Sequence, residues 1–117
     1  MLHAAAISGN LDVFKLILGH KEDVNPKTIF GDTPFHNAAK FGHLEICNFI
    51  MEMVEDKNPP DNNGCTPLHI AAKFGHLEIC KHMIENGVEI CPRNFRGKTP
   101  RDLAIRGKHL EVANIFY

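Results

Sequence analysis

Apolar and polar positions along this chain return in one fixed order every thirty-three residues. The block Ala38-Ala39-Lys40-Phe41-Gly42-His43-Leu44-Glu45-Ile46-Cys47 recurs letter for letter from Ala71 to Cys80. The same offset joins Leu11, Leu44, Leu77 and Leu110, and it joins Gly31, Gly64 and Gly97. It also joins Thr33, Thr66 and Thr99, and Pro34, Pro67 and Pro100, with no insertion breaking the register. Such a period marks a stack of one supersecondary unit, because no single copy can bury its apolar face alone. Each unit reads as two short helices. In the second, Thr33 accepts a backbone N–H at the helix start and Pro34 takes the first helical position, where its missing N–H is not needed. Ala38 and Ala39 are small because helices approach closely there, and Gly42 supplies the left-handed residue that ends the first helix. Leu44–Met51 forms the second, with Glu45 favoured in its first turn by the helix dipole. Leu77 is read as a large core residue of the third unit.

Departures from the pattern carry their own expectations. Met1 falls where a proline is due, so the first unit lacks its hairpin and its threonine cap. A short first helix at His3-Ala4-Ala5-Ala6, uncapped, should fray; Gly9 stops it and Asn10 caps Leu11–Leu18. Val54 stands where the next copy has Gly87, which predicts an altered helix end. His82 takes a position held by Leu16, Phe49 and Ile115 elsewhere and reads as a packed or snorkelling neutral side chain. In the last unit Arg101-Asp102 replaces Leu68-His69, Ile105 replaces an alanine and Lys108 a glycine. Those changes suit a terminal unit whose outer side meets water. Ile115-Phe116-Tyr117 either folds back on the third unit or leads into further repeats.

Gly64-Cys65-Thr66-Pro67-Leu68-His69-Ile70-Ala71-Ala72, followed by Gly75-His76-Leu77-Glu78-Ile79, resembles the ankyrin repeat, and the resemblance covers essentially the whole chain. It implies an all-α ankyrin-repeat solenoid of stacked helix-turn-helix units with β-hairpin-like connecting loops, its first and last repeats incomplete. The repeats would span 1–30, 31–63, 64–96 and 97–117, the outer two truncated. The resemblance also implies that His36 pairs with Thr33 and His69 with Thr66. It further implies a non-catalytic module that binds a protein or peptide through hairpin tips and the outward side of the first helices.

Composition narrows the alternatives. Hydrophobic residues at 44% and charged residues at 23% are those of an ordinary globular chain. A net charge of −1 gives no global pull toward nucleic acid or membrane. No apolar run reaches the length of a membrane span, and the first residues do not read as a secretion signal. The four cysteines include no Cys-x-x-Cys pair. Cys47 and Cys80 are equivalent to Phe14 and Ala113, whereas Cys65 and Cys91 lie in connecting segments. They read as buried or partly buried free thiols of a reducing compartment, cytoplasmic with nuclear as the alternative.

Eight histidines invite a metal reading. Six fall in register, and stacked helices about 8–10 Å apart hold equivalent side chains too widely to share one ion. Gly97-Lys98-Thr99 lacks the upstream glycine of a phosphate loop, with Pro92 in its place. Asp61-Asn62-Asn63-Gly64 has neither the spacing nor the closing glutamate of a calcium loop. No nucleophile–base–acid motif surrounds Ser8. The expectation is no catalytic residue, no cofactor and no metal.

Surface chemistry is what remains. By register the outward positions are Ile29, Phe30, Asp32, Lys40, Phe41, Asn62, Asn63, Cys65, Lys73, Phe74, Phe95, Arg96, Lys98 and Arg106. Five cations stand there against Asp32, with four phenylalanines among them. Glu45, Glu52, Glu55, Glu78, Glu85, Glu89 and Glu111 fall on the second helices and their exits. The expected molecule is a monomeric slab, aromatic and basic in its groove and acidic behind, suited to a partner of acidic and apolar character. Phe41 and Phe74 have a plainer alternative, that of covering their own hairpins. The chain also reads as a scaffold segment of a larger protein, or as an asparaginyl hydroxylase substrate through Asn25 in Asp23-Val24-Asn25. Nucleic acid is not expected, since no arginine-rich run is present.

Overall fold

The computed structural model describes residues 2–18, 27–28, 31–54 and 56–116, and among them four helix pairs follow one another. The pairs are α1 (Leu2–Ser8) with α2 (Leu11–Leu18), α3 (Pro34–Phe41) with α4 (Leu44–Met53), α5 (Pro67–Lys73) with α6 (Leu77–Glu85), and α7 (Pro100–Arg106) with α8 (Leu110–Ala113). The first helices α1, α3, α5 and α7 pack in order as one layer, and α2, α4, α6 and α8 as the other. The stack measures 39 × 25 × 22 Å. No strand occurs among the described residues.

The helix starts follow from the Thr-Pro pairs. Thr33, Thr66 and Thr99 each accept the N–H of the residue three positions on, and that residue's side chain accepts the threonine N–H in return. His36 and His69 serve this role in α3 and α5, while Asp102 serves it in α7 through a 3.0 Å bond from the Thr99 N–H. That bond holds the Asp102 carboxyl below its usual range. Gly42 and Gly75 end α3 and α5 with φ of 78° and 77°. Lys108 takes the same left-handed conformation, φ 64°, where a side chain costs about 1–2 kcal/mol.

The altered exit expected at Val54 is present. The helix α4 runs to Met53, two residues beyond the predicted end, and Val54 leaves it in an extended conformation with its N–H on the Ile50 carbonyl. In the following pair Gly87 turns at φ 85° instead. Helix α1 is helical from Leu2 despite its missing cap. At the other end Phe116 is buried and Ile115 packs against the core, so these residues fold back onto the stack.

Paired alanines let the layers meet, and Phe14, Phe35, Ile46, Ile50, Leu68 and Met83 fill the space between them. Cys47 and Cys80 are buried at the Phe14 position, as their register predicts. The expectation for Leu77 needs correcting. Leu11, Leu44 and Leu77 are only partly buried, and Leu110 is 64% exposed. Each opens a second helix beside the turn, where solvent reaches one side. His82 is likewise half-buried, at a position where Leu16 is 80% exposed.

Histidine rings join each pair to the next. His36 Nε2 lies 2.8 Å from the Cys65 carbonyl and His69 Nε2 2.8 Å from the Lys98 carbonyl. His3 reaches the Asp32 carbonyl in the same way at 2.9 Å. A carbonyl can only accept, so Nε2 carries the proton; Nδ1 must then accept, and it takes the Thr33 N–H at 3.2 Å or the Thr66 N–H at 3.0 Å. A second set of rings points backward. His43 Nε2 donates to the Ile7 carbonyl at 2.9 Å, and His76 Nε2 to the Lys40 carbonyl at 2.8 Å. The His76 ring lies directly over Gly42, where a Cβ would come within 2.9 Å of it.

Two outcomes are expected. Leu68→Ala should lower stability by about 2–5 kcal/mol as a fully buried large-to-small change, and Leu77→Ala by clearly less; equal shifts of the urea midpoint would contradict this core. Burial holds the His36 and His69 imidazoles below their ordinary 6.5, more than the Cys65 and Lys98 carbonyls and nearby Asp61 raise them. The fold thus binds fewer protons than the unfolded chain between the depressed values and about pH 6.5. Their contribution is complete above that range and is lost as pH falls through it. Asp102 is held below the ordinary carboxylate range, outside the window from pH 7.5 to pH 5.5, and does not obscure the effect. The urea midpoint should drop between pH 7.5 and pH 5.5, and less so in His69→Gln; a flat profile would contradict the neutral-ring geometry.

Candidate functional site

The turns that link one pair to the next are built alike. Thr28, Asp61 and Asn94 each donate a backbone N–H to the carbonyl four residues on, that of Asp32, Cys65 or Lys98, at 2.9 Å. Asp61 Oδ1 accepts from the N–H groups of Asn63 and Cys65, and Asn94 Oδ1 from those of Arg96 and Lys98. The polar Asp61-Asn62-Asn63-Gly64 run is therefore a turn braced by its own aspartate. Neighbouring turns also touch: the Phe95 N–H donates to the Asn63 carbonyl at 3.0 Å, and the Phe95 ring lies over Gly64.

Between these turns and the inner side of the first helices runs a groove of about 770 Å³. Of the residues singled out from the sequence, Asp32, Lys40, Asn63, Cys65, Lys73, Phe74, Phe95, Arg96, Lys98 and Arg106 line it. Phe41 does not. Its ring stands at the N-terminal margin with the Lys40 ammonium between it and Phe74, 5.4 Å from one ring centroid and 5.7 Å from the other. Lys73 lies 5.7 Å from the Phe74 ring, so lysines and half-exposed rings alternate along this edge. Asn62 is also outside the lining and rests against Gly31. Ile29, Phe30, Glu55 and Asn25 lie outside the described residues, so neither the Phe30 contact nor the Asn25 hydroxylation site is placed.

Sequence reasoning missed His36, Asn37, Asp61, Ile70, Asn94, Leu103 and Gly107, which complete the lining. A signal existed for three of them: Asn37, Ile70 and Leu103 share one register position on α3, α5 and α7. The groove thus holds five cations against Asp32 and Asp61, one more carboxylate than the sequence reading gave it. None of the five cations makes an ion pair among the described residues, where the ion pair present is Lys81–Glu78 at 4.0 Å on the opposite layer. Glu45, Glu52, Glu78, Glu85, Glu89 and Glu111 are exposed on the second helices and the exit loop.

A sequence profile described as ankyrin repeats in three copies matches residues 2–94 and 55–117. The chain belongs to the ankyrin-repeat family. No curated protein matches it. Ankyrin repeats are generally protein–protein interaction modules and generally non-catalytic. Among the described residues of this ankyrin array no cluster of three or more His, Cys, Asp or Glu is placed to hold a metal ion. No helix among them is long and apolar enough to cross a membrane.

All four cysteines of the array are free thiols. Cys91 is exposed rather than buried or half-buried as expected, because its connecting segment runs over the surface; Cys65 is half-buried in the groove. Burial raises the Cys47 thiol far above its ordinary value and pushes Cys80 up to about 12. Alkylation at pH 8 followed by mass spectrometry should therefore modify Cys91 first and Cys65 more slowly, leaving Cys47 and Cys80 protected until denaturant is added. Early modification of Cys80 would show the stack to be looser than described.

Proposed function

We propose that this ankyrin array is a non-catalytic binding module that holds a protein or peptide segment of acidic and apolar character along its groove. The observation that supports the reading most directly is the row of five groove cations with no ion-pair partner among the described residues, interleaved with exposed rings. Unpaired cations beside aromatic surface suit a carboxylate-bearing partner, which gains charge-assisted bonds at positions where the free protein has none to break. The acidic second layer repels such a partner and restricts it to one face. The rigid layers imply that the groove is preformed and that binding requires little rearrangement.

The test is a pull-down from cell extract with the intact chain, with the variant Lys40→Glu/Lys73→Glu/Arg106→Glu, and with the back-face control Glu45→Lys/Glu78→Lys. All five side chains are exposed, so each variant should keep the parent's circular dichroism and urea midpoint. The groove variant should lose the proteins that the parent retains and the control should keep them. Identical sets of retained proteins from parent and groove variant would sink the reading.

A further inference from the structure

Equivalent positions along the groove carry unequal chemistry. On the inner side of the first helices the floor is Asn37 in α3, Ile70 in α5 and Leu103 in α7. At the exit of each turn the series is Asp32, Cys65 and Lys98, and at the turn tip Asn63 gives way to Arg96. From the N-terminal to the C-terminal end, then, an amide floor becomes aliphatic while a carboxylate rim becomes cationic. Ala5, Ala38, Ala71 and Ala104 hold one buried position unchanged, and the buried positions that do vary, such as Phe14, Cys47, Cys80 and Ala113, stay free of charge; the change from carboxylate to cation belongs to the groove.

The C-terminal end is also the less obstructed one. Where the two middle pairs carry Phe41 and Phe74, the last carries Gly107, and a Cβ there would sit 3.1 Å from the Lys73 carbonyl. Leu103 therefore has a glycine, not a ring, at that register position of its own pair. Arg96, Lys98 and Arg106 are exposed, and their side chains make neither a hydrogen bond nor an ion pair among the described residues. The Phe95 ring, 76% exposed, is held by its backbone bond to Asn63 but covered by nothing on its outer side.

We infer that the groove between α5 and α7 is the anchoring subsite, and that it takes an apolar side chain flanked by carboxylates. This rests on the groove reading above and narrows it. The apolar side chain of an acidic peptide segment seats on Ile70 and Leu103, against Phe95, and the neighbouring carboxylates meet Arg96, Lys98 and Arg106. An aliphatic floor ringed by cations favours that combination, because burying the apolar group excludes water from the charge pairs at its rim. Asp32 at the other end repels the same carboxylates, so the bound segment has one orientation along the array.

A random-peptide display library selected on the intact chain supplies the probe, and fluorescence polarisation of the most enriched peptide supplies the affinity. Enriched sequences should share an apolar residue next to two or more Asp or Glu. The exposed charge reversal Arg96→Glu/Lys98→Glu and the floor change Leu103→Ser should each weaken the peptide about tenfold or more. Asp32→Asn, which removes the repelling carboxylate, should not weaken the peptide, and Asn37→Ala should weaken it less than Leu103→Ser does. Circular dichroism checks the fold of Leu103→Ser, and the charge reversal tests the subsite independently of any packing change. Enriched peptides without acidic residues, or equal losses from both ends, would overturn the subsite while leaving groove binding in place. Absence of enrichment, or peptides that no groove substitution weakens, would overturn both.

Discussion

One hydrogen bond per junction organises this molecule: an imidazole N–H given by a first helix to the backbone carbonyl of the following turn. The carbonyls of Cys65 and Lys98 each receive two bonds, one from the ring and one from the N–H that closes the turn itself. Helix start, ring and turn thereby become one rigid unit that spans two pairs. Helices of four to ten residues have little stability of their own in water. Here they persist because each of the first three pairs is tied forward through one histidine and, at the first two junctions, backward through another. The ring must be neutral for this, since Nδ1 accepts while Nε2 donates. The same atoms that join the stack thus make it sensitive to acid.

Holding the junction at so few positions leaves the rest of each unit free. Threonine, proline, histidine and glycine recur at most unit boundaries because caps, rings and left-handed turns admit few alternatives. The inner side of the first helices and the turn tips carry no such duty. There the copies diverge, from Asn37 to Leu103 and from Asp32 to Lys98. Charge is sorted by layer in the same way, with cations toward the groove and glutamates on the second helices. A constant frame with a variable lining is how one fold accommodates different partners.

The frame was legible in the sequence because it repeats; the lining was legible only in part because it does not. A thirty-three-residue register located every Thr-Pro start, both histidine sets and the thiols that replace Phe14. It misjudged Leu77, since a leucine recurring at the edge of a helix looks the same as one recurring in the core. It included Phe41 because that residue and Phe74 belong to identical blocks, yet Lys40 separates the two rings and only Phe74 reaches the groove. Asp61 was set aside as a failed calcium motif, although Asn94 at the same register marks it as a turn brace. Ile70 and Leu103 went unnoticed because their identities differ from Asn37, and the divergence that hid them is what gives the groove its gradient.

The last pair separates the two duties of the bridging histidine. In α7 the position is Asp102, whose carboxylate caps Thr99 as His36 caps Thr33 but has no N–H to give to a following turn. Capping survives the exchange and bridging does not. Lys108 makes the complementary point, keeping the left-handed turn of Gly42 and Gly75 at a steric cost, because the geometry of the helix–turn–helix requires it. Within a pair, conformation is conserved even where the residue changes. Between pairs, the bridge needs a side chain that accepts from one backbone and donates to the next, which the neutral imidazole does and a carboxylate cannot. Stacking in this fold is therefore specified by side-chain chemistry, and each pair's internal shape by backbone geometry.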